Sequence, residues 1–509
     1  MNRLLGKLYN GGELRLRYGI RKFSLLSLIT SLLLGCSFAP KYQRPPMPIP
    51  VQYKETKGWK PGLGLAALNK AEHWWEVFDD PVLNDLENKL TVANQDLKAA
   101  FARFQEARAA VQVARSAYVP WLSGFTNANT QQTSKHVANP NNHRRYSDLL
   151  VGGDLRYELD VWGRIRNTVA ASESTAEASA SDLAALTLSM HAELAADYFR
   201  LRGDEAAQRV LDDTVVAYEK ALYLTRKRYS GGAAPIADVD EAQAQLENAK
   251  TLASDMRLNR AQLEHAIAVL VGEIPANFTM PSAVRKMKLV SVDPELPSTL
   301  LERRPDIAAA EQRVQAANFE IGVACAAFFP TITLTAVGGV ESRSLANLFT
   351  KPSIFWSLGP PNAIFSQPLA KVLLYDGGYL SGLLKSAKAS YYETVAQYRQ
   401  TVLTAFQEVE DGLAAIRWLD KEEQSQIAAT AAASRALKQA NDRYVGGITN
   451  YLDVIVYENL ALQAELSLVD IRTRRQLASV QLIKSLGGGW NCPTKCAVSC
   501  PVKKGCSAA

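Results

Sequence analysis

The chain has 509 residues, enough for about three domains or for one long architecture. It is 47% hydrophobic and 21% charged, which excludes a wholly disordered chain. Most of the +6 formal charge lies in the first 35 residues, where Arg3, Lys7, Arg15, Arg17, Arg21 and Lys22 stand against Glu13; the excess marks a leader and excludes an extended basic face for nucleic acid.

Residues 1–22 are basic, and 23–35 form the apolar run Phe-Ser-Leu-Leu-Ser-Leu-Ile-Thr-Ser-Leu-Leu-Leu-Gly. That run is shorter than the roughly 20 residues a transmembrane helix needs, and with its charged flank it reads as a secretory signal peptide over 1–35. It ends in Leu33-Leu34-Gly35-Cys36, which resembles the lipobox of bacterial lipoproteins. The resemblance implies that Cys36 becomes the lipid-bearing N-terminal residue. Ser37, in place of the aspartate that retains lipoproteins in the inner membrane, implies the outer membrane. The alternative is a buried cysteine in an uncleaved apolar helix. Pro40, Pro45, Pro46, Pro48 and Pro50 speak against it, because proline that dense breaks a helix and fits an extended, lipid-anchored tether over 36–80. No other window holds 18 uninterrupted apolar residues, so no transmembrane helix is expected.

The body reads as one plan used twice. Over 81–272 the pattern predicts a helix at about 82–116 and strands around 119–131 and 147–162. A very long helix at about 164–228, a Gly-Gly turn and a returning helix at about 236–271 follow. Residues 273–302, with Pro275, Pro281, Pro294 and Pro297, read as a connector. Over 303–487 the order recurs: helix 303–326, strands around 330–341 and 355–370, long helix 379–443, turn, and returning helix 450–486. Residues 488–509 are a cysteine-rich tail.

Landmarks carry the duplication. Lys227-Arg228-Tyr229-Ser230-Gly231-Gly232 precedes Asp238-Val239, and Asp442-Arg443-Tyr444-Val445-Gly446-Gly447 precedes Asp453-Val454, 215 residues later. Gly272 and Gly487 share that offset, Asp160 and Asp376 stand 216 apart, and Pro120 and Pro330 stand 210 apart. Several landmarks in one order with nearly one spacing indicate an internal two-fold repeat.

At about 1.5 Å per residue the long helices would reach roughly 100 Å. Val169, Ala176, Leu183 and Met190 fall seven apart, a coiled-coil period. Two shorter helices broken near Gly203 are the alternative. In the strands, Leu155, Tyr157, Leu159 and Val161 share one face and Asp154, Arg156, Glu158 and Asp160 the other, while Ile332, Leu334 and Ala336 alternate with Thr331, Thr333 and Thr335. Such alternation fits a membrane barrel with a wet lumen, and a soluble half-buried sheet shows it too. The outer-membrane address and the aromatics near strand ends (Trp121, Phe328, Phe329, Phe355, Trp356) favour the barrel. Only four such strands are found. Bacterial barrels use eight or more, and an open sheet edge is excluded from lipid. Several chains must therefore share one barrel, and three would give twelve strands.

The lipobox, the repeat, the Arg-Tyr-x-x-Gly turns, and Arg303-Arg304-Pro305-Asp306 followed by Phe328-Phe329-Pro330 resemble the TolC-type outer-membrane efflux proteins. Trp74-Trp75-Glu76-Val77-Phe78, Glu158-Leu159-Asp160-Val161-Trp162-Gly163-Arg164 and Leu486-Gly487-Gly488-Gly489-Trp490 resemble the OprM-like, NodT-type lipoprotein branch of that family. The likeness covers about residues 36–490. It implies a mainly α fold with membrane β: a homotrimer with a twelve-stranded outer-membrane β-barrel, four strands per chain, continued by a periplasmic α-helical coiled-coil barrel. It implies a periplasmic adaptor and an inner-membrane pump of the resistance-nodulation-division type as partners, and no cofactor beyond the lipid on Cys36. It places Arg228, Tyr229, Gly232, Arg443, Tyr444 and Gly447 at the periplasmic tips that meet the adaptor. The family often closes that end with aspartate rings. The matching position here is Asn441, with Asp442 beside it as the candidate gate.

Nothing in the sequence points to catalysis. The five histidines form no His-Glu-x-x-His pair, and no Gly-x-Ser-x-Gly or phosphate-binding loop is present. Cys492, Cys496, Cys500 and Cys506 match no zinc spacing; tail disulfides or a disordered appendage are both open, and Cys325 stands alone. The expected function is a passive exit duct for drugs or other small molecules. The competing readings are the outer-membrane duct of a type I protein-secretion system and a periplasmic coiled-coil scaffold lipoprotein without a pore.

Overall fold

A computed structural model describes residues 38–56, 63–64, 73–132, 134, 145–281, 292–293, 297–358 and 370–490. The signal peptide, Cys36 and the tail cysteines lie outside them. The fold is mostly helical, with a small antiparallel sheet and a two-residue parallel pairing of Leu63–Gly64 with Val292–Asp293. Contacts divide the described residues into two compact units, each drawing on both halves of the sequence: those within 38–45, 105–178 and 311–396 form one, and those within 46–104, 179–310 and 397–490 the other.

The first unit holds the sheet. Strands β1 (Trp121–Gln132), β2 (Arg145–Leu159), β3 (Thr331–Ser342) and β4 (Ile354–Leu358) follow one another in that order, with β5 (Ala370–Lys371) also on β3. All pairs are antiparallel: Leu122 lies opposite Leu155, Leu155 opposite Ala336, and Ala336 opposite Leu358. The fourth strand, expected at 355–370, is seen as β4 and β5, and residues 359–369 lie outside the described set. β2 stops at Leu159 rather than running to 162, because Asp160 leaves the ladder. Its carboxylate accepts the Ile165 N–H at 2.9 Å and the Arg166 N–H at 2.8 Å and so caps helix α3 (Arg164–Ser230), two of whose first four N–H groups it satisfies. Asp376 caps α7 (Tyr379–Val445) in a similar way, accepting from Leu380 in its first turn at 2.7 Å and from Gly378 just before it at 2.9 Å. Segment 38–45, expected as a tether, is docked. Phe38 stacks on Phe329 at 4.5 Å, Asn318 donates to the Pro40 carbonyl at 2.8 Å, and Arg44 pairs with Glu311 at 2.7 Å.

The second unit is helical. The helix expected at 82–116 is two, α1 (Pro81–Ala93) and α2 (Gln95–Arg115). Asn94 interrupts it, accepting the Leu97 N–H at 2.9 Å and donating to the Leu270 carbonyl at 2.8 Å. The connector contains α5 (Pro297–Arg303), and α6 (Pro305–Ala326) begins one residue after it. At the interruption stands Arg304, which is buried, binds Asp306 at 2.6 Å and Glu408 at 2.5 Å, and donates to the Ser485 carbonyl at 3.2 Å. Asn94 and Arg304 thus do the same job 210 residues apart, on carbonyls 215 apart. α3 runs unbroken through Gly203, which leaves room for another helix: a Cβ there would meet the Thr473 hydroxyl oxygen at 2.3 Å. The returning helices are α4 (Ile236–Leu270) and α8 (Tyr451–Ser485). The two long helices have 67 residues each and the two returning helices 35 each.

Trp75 stacks on His191 at 4.4 Å, and His191 Nδ1 lies 2.6 Å from the Glu87 carboxylate. Burial pushes Glu87 well above the usual carboxyl range and lowers His191 to about 4, and both shifts favour the uncharged forms.

Candidate functional site

Two surfaces are the candidates for function. The first is the sheet. Its register gathers Leu122, Val151, Leu155, Tyr157, Leu159, Ile332, Leu334, Ala336, Val340, Ile354, Trp356 and Leu358 on one face, because side chains alternate at period two. This face is open to solvent in the single chain: Leu122 is 79% and Leu358 81% exposed. The other face bears Ser123, Asp154, Arg156, Glu158, Thr333 and Thr335, with the Ser123 hydroxyl donating to Asp154. So large an unpartnered apolar surface marks a lipid or protein contact. Among the described residues no helix is long and apolar enough to cross a membrane, and β1 and β4 leave their outer edges unpaired.

The second surface is the turn end of the helix pairs. The turn from α3 to α4 closes with Ala233 N–H on the Arg228 carbonyl at 2.8 Å and Gly232 N–H on the Tyr229 carbonyl at 2.9 Å. The turn from α7 to α8 repeats this with Ile448 on Arg443 at 2.9 Å and Gly447 on Tyr444 at 3.0 Å. Both glycines have φ of 72°, the left-handed conformation such a helix ending requires. No atom lies within 4 Å of a Cβ built at Gly447. Gly447→Ala should therefore cost only the backbone strain, about 1–2 kcal/mol, seen as faster hydrogen exchange over 440–455 with the rest of the protein unchanged. Asp453 sits in the first turn of α8, where Asn450 accepts its N–H at 3.2 Å, and Asp238 sits likewise in α4; both carboxylates complement the exposed N–H groups there.

The two pairs pack against each other near these turns. Arg228 lies over the Tyr444 ring at 4.3 Å and donates to the Tyr444 carbonyl at 2.9 Å. Tyr444 and Tyr451 join Tyr218, Leu222, Val239, Ala242 and Leu246 in one buried cluster. The matching residues are not equivalent in place: Tyr444 is 5% exposed and Tyr229 47%. Tyr229, Arg443, Gly232 and Gly447 face solvent, as do Asn441 and Asp442 on α7. Ile448, Leu452 and Val456 add exposed apolar surface beside the second turn. Sequence reading missed Glu458, which is buried in the apolar face of α8 one turn beyond Val454 and Ile455; the signal was an acid at helical spacing within that stripe. Cys325 is a free, half-buried thiol on α6. Among the described residues no cluster of three or more His, Cys, Asp or Glu could hold a metal.

Known proteins share this construction. The sequence profile described as outer membrane efflux protein matches residues 86–273 and again 296–488. The chain is 32% identical over 473 residues to the antibiotic efflux pump outer membrane protein ArpC of Pseudomonas putida, covering 92% of this chain and 96% of that protein. It is equally similar, with the same coverage, to the toluene efflux pump outer membrane protein TtgC of Pseudomonas putida. The open-state structure of the MtrE outer membrane channel of Neisseria gonorrhoeae superposes with a TM-score of 0.77 at 26% identity, over 89% of this chain and 98% of that one. The chain belongs to the outer membrane efflux protein family.

Proposed function

We infer that this protein is the outer-membrane channel component of a tripartite efflux system, a passive exit duct for drugs or other small molecules. One observation carries the reading: among the described residues, four strands expose a continuous apolar face while both sheet edges stay open within one chain. The apolar face belongs in lipid, and open edges do not, since each unsatisfied backbone group there costs several kcal/mol. Both demands are met when copies of the chain join edge to edge. Three copies supply twelve strands, above the minimum of eight for bacterial barrels, with the face of Asp154, Arg156 and Glu158 lining the lumen. The paired helix hairpins then form the helical coiled-coil barrel of the periplasm. Their turns, with Arg228, Tyr229, Gly232, Arg443, Tyr444 and Gly447, meet the periplasmic adaptor, which links to a resistance-nodulation-division pump, and Asp442 with Asn441 narrows that end. A lipid on Cys36 holds the segment that leads to Phe38 at the outer membrane. The matched turns, helix lengths and carbonyl contacts of the two halves support a duplicated unit. The antibiotic and toluene in the relatives' names support small-molecule cargo over secreted protein.

Purified protein in planar bilayers should give stepwise conductance; a pore-free scaffold would give none. Deletion of the gene should raise susceptibility to antibiotics or solvents with the secretome unchanged. Loss of a secreted protein at unchanged susceptibility would instead identify a type I secretion duct.

A further inference from the structure

Glu458 lies on the face of α8 that carries Tyr451, Val454, Ile455 and Ala461. It is 8% exposed, and its Oε2 is shut off from solvent and accepts no hydrogen bond. The hydroxyls of Tyr218 on α3 and Tyr444 on α7, in the adjoining apolar cluster, are also buried without partners. These atoms are enclosed within a single chain, so a neighbouring copy cannot supply the missing bonds. The ionisable groups around the cluster are Tyr218 and Arg228 from α3, Glu241 from α4, Tyr444 from α7 and Tyr451 on α8 itself. The one cation among them, Arg228, is engaged with the Tyr444 ring and carbonyl. Glu458 thus lies beside the phenols of Tyr218 and Tyr451, and burial rather than a neighbouring charge sets its state.

The position 215 residues earlier shows that helix packing does not require an acid. It is Gln243, half-buried and satisfied, accepting from Arg226 at 2.7 Å and donating to Glu247 at 3.0 Å. An amide of the same shape serves the first hairpin, and a carboxyl with one buried, unpartnered oxygen stands in the second.

We propose that Glu458 is a protonation-controlled latch between the two helix hairpins: its neutral carboxyl permits α8 to pack against α3 and α4 near the turns, and its ionisation loosens that packing and frees the turn at 446–450. The function of such a latch, to open the periplasmic end of the duct, rests on the channel reading above. The direction follows from burial, which raises the carboxyl from its ordinary 4.5 to about 7. The packed state then binds more protons than the loosened one. Packing is at full strength below about pH 4.5 and weakens as pH rises to about 7. Across that window the loosening equilibrium shifts on the order of a hundredfold.

The test is hydrogen exchange on the full-length protein in detergent at pH 5 and pH 8, corrected for the intrinsic pH dependence of exchange, over peptides 211–225 and 440–461. Wild type should lose protection in both segments on the order of a hundredfold at the higher pH. Glu458→Gln should be flat, and Glu458→Leu, which removes the carboxyl and leaves only the phenols in the cluster, should be flat as well. A pH step of equal size in wild type and Glu458→Gln, or no step in wild type, would overturn the latch. Conductance recorded in parallel tests the duct separately: a channel silent at every pH, with the exchange step intact, sinks the channel reading and leaves the latch standing.

Discussion

Leu155→Arg is expected to remove the protein from the outer membrane, and Thr333→Arg is not. Leu155 lies at the middle of the apolar face, between Leu122 and Ala336 on the neighbouring strands. An arginine facing lipid near the bilayer midplane costs about 2–4 kcal/mol, and a three-chain ring would incur that cost three times, about 6–12 kcal/mol in all. Thr333 faces the other way, opposite Glu158, whose carboxylate is already paired with Arg164 at 2.7 Å, so in the proposed barrel an arginine there meets the water of the lumen and not lipid. Membrane fractionation with heat-modifiable gel mobility should show Leu155→Arg absent or unassembled and Thr333→Arg assembled, with altered ion selectivity in bilayers. Equal behaviour of the two variants would mean that the faces are wrongly assigned.

Gly487→Ala should destabilise the fold by about 3–5 kcal/mol, far more than Gly447→Ala. Gly487 has φ of 95°, and a Cβ built there would lie 2.3 Å from the Arg303 carbonyl oxygen. That carbonyl cannot retreat freely, because Arg304 beside it is pinned by Asp306, Glu408 and the Ser485 carbonyl. Gly272 repeats the arrangement against the Ala93 carbonyl at 2.7 Å and should respond in kind. The contrast with Gly447, which also has positive φ but open surroundings, isolates the steric part. Thermal unfolding in detergent ranks the three variants, and equal effects at all three sites would remove the carbonyl contact from the explanation.

The long helices are the most legible part of the sequence. Expected at 164–228 and 379–443, they are found at Arg164–Ser230 and Tyr379–Val445. Uninterrupted helix formers and a following Gly-Gly turn are local signals, and they dominate where no distant contact competes. Strand faces are equally legible, since alternation at period two survives whatever the strands pack against. The misses come from contacts made far along the chain. The break at Asn94 depends on a carbonyl 176 residues away. The docking of Phe38 depends on Phe329 and Trp162. The end of β2 is a competition that Asp160 wins for the helix, because capping two N–H groups outweighs one more ladder pair. At the turns, the repeated Arg-Tyr pairs are visible in the sequence, but their inequality is not: only the packing of one hairpin on the other buries Tyr444 and leaves Tyr229 outside.

One measurement bears most directly on the central claim, that a single chain has too few strands to close a barrel. Light scattering on the detergent-extracted protein, with the detergent contribution subtracted, should give three times the mass of the heat-denatured chain. A stable species of one chain, soluble once detergent is withdrawn, would contradict it.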